Sequence, residues 1–135
     1  MQKDLKIEYK VATDNDYWVD DVDSEDYNTW QTYKGDPDLK WDSYERLNIN
    51  SYRIALVIGY NALRIKGMGS AIFFHVWKNN ETFTSGCTAT DEDSLLLILK
   101  SLDPEKRPVI VQGSIEYYSA KFGIDIGKEI SNGAF

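Results

Sequence analysis

Two short runs dense in β-branched and aromatic residues, 52–60 and 70–77, flank a loop punctuated by Gly67 and Gly69. No other feature restricts the fold as strongly. Runs of this length and composition read as buried strands, because a helix of the same burial needs more residues and a 3.6-residue period. A third run, 108–112, has the same character. Nearer the start, Lys6-Ile7-Glu8-Tyr9-Lys10-Val11 alternates apolar and polar, which predicts a half-buried strand. One helix is expected. Thr90 suits an N-cap, Asp91, Glu92 and Asp93 place negative charge in a first turn, and residues 95–102 carry the apolar face. Asp103-Pro104 ends it, since proline disfavours helix in the residue before it. Several strands and one helix define a mainly β chain of the β-rich α+β class.

The chain of 135 residues is read as a single domain, 1–135. Between residues 13 and 50 no period holds, but Tyr17, Trp18, Tyr27, Trp30, Tyr33, Trp41 and Tyr44 predict that the stretch packs down. Beyond Gly113 the pattern weakens, and the tail 113–135 is not assigned. A net charge of −7 argues against nucleic acid, which needs a basic face, and against docking on anionic membranes. The apolar runs 54–58 and 95–99 are far too short to span a bilayer, so no membrane insertion is expected. Met1-Gln2-Lys3-Asp4 leads straight into the alternating pattern without a leader-like apolar stretch. The expectation is a cytoplasmic protein or an internal piece of a longer exported one. The single cysteine excludes an internal disulfide, and one Cys with one His is a poor start for a zinc site. The acidic stretch 14–26 does not fit a calcium-loop spacing, because glycine is missing at the sixth position. Neither metal nor cofactor is expected.

Cysteine chemistry requires a thiolate, a base that generates it and donors for an oxyanion. Cys87 is the only thiol and His75 the only imidazole, the latter near the end of the run 70–77. Gly86 lets a substrate approach the backbone closely. The amides around Gly86, Cys87 and Thr88 are candidate oxyanion donors, and an approaching helix start would favour the thiolate. Trp77 shares a strand face with His75 and is the best of the four tryptophans for lining a cleft. The alternative reading is a small buried cysteine and a structural histidine, and spacing alone leaves both open.

The wider pattern adds to this. Gly69-Ser70-Ala71-Ile72-Phe73-Phe74-His75-Val76-Trp77, Thr84-Ser85-Gly86-Cys87-Thr88-Ala89, Asp91-Glu92-Asp93, Leu102-Asp103-Pro104 and Pro108-Val109-Ile110-Val111-Gln112 follow one another in order. Asp16-Tyr17-Trp18-Val19-Asp20-Asp21, Tyr27-Asn28-Thr29-Trp30 and Glu45-Arg46-Leu47 precede them. From about Asp14 to Gln112 the chain resembles the catalytic domain of the L,D-transpeptidases (the YkuD-like family), in a branch with a His-Val-Trp motif. The resemblance implies an L,D-transpeptidase-like β-sandwich or barrel with one helix after the nucleophile. It also implies a bacterial cell-envelope enzyme of peptidoglycan biosynthesis that acts on stem peptides. Cys87 matches the nucleophile, His75 the base, and Ser85 and Gly86 the residues before the nucleophile. Thr88, Trp77 and Trp18 fall where substrate would lie, and a backbone carbonyl near the histidine, that of Val76, would orient its ring. The better-known family motif has His and Arg where this chain has Ser85 and Ala89. The family's earlier strands, with a Thr-Pro-x-Gly signature, have no counterpart, so the expectation is the C-terminal portion of such a domain with early strands missing. Two other readings remain: a sortase-like or other cysteine peptidase, for which Arg107 is the one downstream arginine, and a non-catalytic wall-binding or interaction domain.

Overall fold

A computed structural model describes residues 4–123, 125 and 128. Those residues form a small, mostly β, α+β structure with two three-stranded sheets and two helices. The first sheet has strands β1 (Asp16–Val19), β2 (Thr29–Thr32) and β3 (Tyr44–Arg46) in the order β2-β1-β3. Both pairings are antiparallel, with Trp18 opposite Trp30 on one side and Glu45 on the other. The sheet falls within the stretch that shows no period in the sequence. Its strands are too short to display one, and β1 carries a buried acid at Asp16 where alternation predicts an apolar residue. The Asp16 carboxylate accepts from the Thr13 amide and hydroxyl, Trp30 Nε1 and the Thr32 hydroxyl, which accounts for its burial. The aromatics do pack down: Tyr17, Tyr33, Trp41 and Tyr44 form one ring cluster.

The second sheet comprises β4 (Ala55–Val57), β5 (Phe73–Val76) and β6 (Thr88–Thr90). β4 pairs antiparallel and β6 parallel with the central β5, which is buried along its whole length. On one face Phe74 and Val76 meet Leu95 and Leu99 of helix α1 (Glu92–Ser101). On the other, Phe73 packs with Leu47 and Ala71, joined by Trp18, Trp30, Tyr52 and Cys87. Period-two alternation of β5 therefore separates the helix face from a second, aromatic face.

Several expectations are corrected. Residues 6–11 form no strand; Leu5 and Ile7 lie against the α1 face and Lys6 pairs with Asp103 at 2.6 Å, so the alternation reflects a segment laid on a surface without ladder partners. Only residues 55–57 of the run 52–60 are strand, because Tyr52 closes a 3₁₀ turn over Asn50–Tyr52. Their pattern is not that of a buried strand either: β4 is an edge, with Ala55 and Val57 exposed. The run 108–112 lies outside both sheets, with Val109 88% exposed; Gln112 hydrogen-bonds to β6 through the Thr88 hydroxyl. β-branched composition predicts a strand only where a partner edge is engaged. Asp91 caps α1 in place of Thr90, accepting from the Ser94 amide at 2.8 Å. A second helix, α2 (Ile115–Phe122), occupies the unassigned tail, where the single-helix expectation fails; most of the tail beyond Gly123 lies outside the described residues, as do Met1-Gln2-Lys3. Among the described residues no helix is long and apolar enough to cross a membrane.

Candidate active site

The parallel ladder between β5 and β6 sets the relation of His75 to Cys87. Phe74 faces Thr88 and His75 faces Ala89, so the same register brings Cys87 beside Phe73. The contact is direct: the Phe73 amide donates to Cys87 Sγ at 3.4 Å. Phe73 and His75 share a face by alternation, and Cys87 belongs to the core cluster on that face. The sole imidazole and the sole thiol thus stand on one side of the sheet, one diagonal step apart.

His75 is 9% exposed and its ring is fixed on two sides. Nδ1 lies 3.0 Å from the Val76 carbonyl, the carbonyl that the family resemblance implies would orient it. A carbonyl only accepts, so Nδ1 is the donor in this contact and Nε2 is the nitrogen left to act as a base. Tyr52 packs edge-on against this ring, centroids 5.3 Å apart, and against Phe73 at 5.2 Å. Trp18 closes the same face with a T-shaped contact to Phe73 at 5.2 Å.

Cys87 is partly buried and rests as a thiol, donating to the Ala71 carbonyl at 3.4 Å. Burial pushes its pKa up, the Phe73 amide draws it down, and the Glu45 charge pushes it up again. The helix-start contribution expected from the sequence is absent, since β6 separates Cys87 from α1. His75 and Cys87 are not hydrogen-bonded to each other; each has the backbone partners named above.

The residues before Cys87 form an exposed bend. Ser85 and Gly86 lie at its tip, and Gly86 adopts φ +120°, a conformation that disfavours any side chain, with open space where a Cβ would project. The Thr84 hydroxyl ties the bend to the Cys87 carbonyl at 2.5 Å. Thr88 opens β6, and Trp77, partly buried just beyond β5, extends the pairing by donating its amide to the Thr90 carbonyl at 2.9 Å. A cavity of about 780 Å³ opens along the exposed side of β4, walled by Trp18, Trp30, Tyr52, Ala55, Val57 and Phe73. Cys87 and His75 are not among its lining residues; Tyr52 and Phe73 connect the two regions. No cluster of metal-ligating side chains occurs among the described residues.

Two side chains at this site have no assigned role in the sequence reading: Tyr52 and Glu45. The Tyr52 hydroxyl donates to Glu45 Oε2. Burial, this hydrogen bond and the Glu45 charge, with Cys87 adding to them, drive the phenol well above its ordinary range. No spacing rule points to either residue, because one lies on β3 and the other in a turn before β4.

No family profile, curated protein or solved structure matches the chain.

Proposed function

We propose that the chain is an L,D-transpeptidase-like cysteine acyltransferase of the bacterial cell envelope, its two sheets the counterpart of the C-terminal portion of that catalytic domain. The observation that carries the reading is the His75 ring, held through Nδ1 by the Val76 carbonyl with Cys87 on the same sheet face. In this reaction His75 Nε2 takes the Cys87 proton, and the thiolate attacks the carbonyl carbon of a stem-peptide bond. Amides near Gly86, Cys87 and Thr88 receive the oxyanion. The intermediate collapses with cleavage of C–N, the proton passes from His75 to the leaving amine, and a thioester remains on Cys87. An amine of a second stem, or water, then forms the new bond to carbon; C–S breaks and the thiol regains a proton. The open groove along β4 is of a size that receives an extended peptide.

The test is the intact mass after incubation with a tetrapeptide stem. Wild type is expected to gain the mass of the tetrapeptide less D-alanine, Cys87→Ala and Cys87→Ser to gain nothing, and His75→Ala to acylate slower by about a hundredfold or more. A folded wild type that gains no mass overturns the enzyme reading.

One observation favours a second reading, a non-catalytic wall-binding or interaction domain. Cys87 donates to a buried carbonyl and lies in a hydrophobic cluster, as a structural thiol does. On that reading stem-peptide or glycan binding survives Cys87→Ala.

A further inference from the structure

Glu45 reaches the site through the Tyr52 hydroxyl and has no cation paired with it among the described residues. It sits on β3, partly buried, and its Oε2 accepts from the Tyr52 hydroxyl. Tyr52 carries it to the centre of the site, since its ring packs on both Phe73 and His75, and the Phe73 amide touches Cys87 Sγ. Carboxylate, phenol, imidazole and thiol thus form one continuous cluster drawn from four separate segments of chain. The Glu45 charge also acts on the thiol, opposing its ionisation. A fixed negative charge in that position works against a nucleophile when the site is empty. It becomes an asset when a positive group enters the acyl-enzyme, because the pair neutralises the charge that the thiolate would otherwise face as C–S breaks.

Resting on the acyl-transfer reading of this site, we propose that Glu45, held in place by Tyr52, is a specificity-determining residue that receives the acceptor amine in its ammonium form, which loses one proton to solvent before attacking the thioester and passes a second through His75 to the departing Cys87 sulfur. Water brings no charge to this position, so the same residue favours transfer to an amine over hydrolysis.

The single cysteine allows a test that needs no acyl chemistry. Two methanethiosulfonates of similar size, one bearing trimethylammonium and one bearing sulfonate, are reacted with the folded protein at low salt, and both rates are read by mass. Wild type is expected to prefer the cationic reagent by about tenfold or more beyond the ratio of the urea-unfolded protein. Glu45→Gln, which keeps an oxygen acceptor for Tyr52, is expected to lose most of that preference. Glu105→Gln, which removes the same charge from an exposed turn, keeps it. Glu45→Asp retains the charge and is expected to retain a cationic preference. Equal ratios in Glu45→Gln and Glu105→Gln, a Glu45→Asp ratio equal to that of the unfolded chain, or no excess preference in wild type would each overturn the proposal. The stem-peptide mass experiment is read separately, so loss of the acyltransferase reading and loss of the ammonium site are distinct results.

Discussion

At the scale of single residues, Asn28 connects the two sheets. It has φ 55°, a left-handed conformation asparagine tolerates better than most residues, and it is 8% exposed. Its Oδ1 accepts from Trp18 Nε1 at 3.0 Å and from the Ala71 amide at 3.2 Å, while Nδ2 donates to the Tyr60 and Asn61 carbonyls. Ala71 is itself left-handed at φ 53°, and its carbonyl receives the Cys87 thiol. Replacing Asn28 by alanine strands two donors and two acceptors, of which the Ala71 amide is buried. We expect a loss of about 2–4 kcal/mol in urea unfolding, with m unchanged. The candidate chemistry was partly legible at this scale. Cys87 and His75 stand out because each is the only one of its kind, and Gly86 because a glycine precedes the thiol. Glu45 and Tyr52 were not legible as site residues, because only tertiary packing brings β3 and the turn before β4 to the sulfur. The thiolate-favouring helix start was misread because β6 intervenes.

At the scale of elements, α1 separates its faces sharply. Leu95 is fully buried against Phe74 and Val76, whereas Leu97 is 72% exposed. Leu95→Ala is expected to cost about 2–5 kcal/mol, and Leu97→Ala less than about 0.5 kcal/mol, by thermal or urea midpoint. Burial alone decides the difference, since both changes favour helix propensity equally. β5 and α1 were readable from composition and capping because they form the centre of the second sheet and its cover. β1, β2 and β3 were not, because three- and four-residue strands show no period and their interior is built from aromatics and a hydrogen-bonded acid. The run 108–112 failed in the opposite direction: it has the composition of a strand and no sheet to join.

At the scale of the whole molecule, the structure depends on a carboxylate in its first sheet. Burial pushes Asp16 up, but hydrogen bonds from Thr13, Thr32 and Trp30 outweigh it and hold the carboxyl well below the usual range. A lowered folded pKa contributes stability that is present above the unfolded value near 4, and that is lost as pH falls through that value toward the folded one. Urea midpoints are therefore expected to fall steadily below about pH 4 in wild type. In Asp16→Asn they are expected to be lower at neutral pH and flatter toward acid. The cluster around Cys87 has a consequence for how the protein comes into being. Its members arrive from β3, the turn after it, β5 and the bend before β6, joined by pairings distant in sequence that form slowly because loop closure must precede them. A nascent or partly folded chain therefore carries an ordinary, accessible cysteine, and its sulfur becomes a guarded one only once the two sheets have docked.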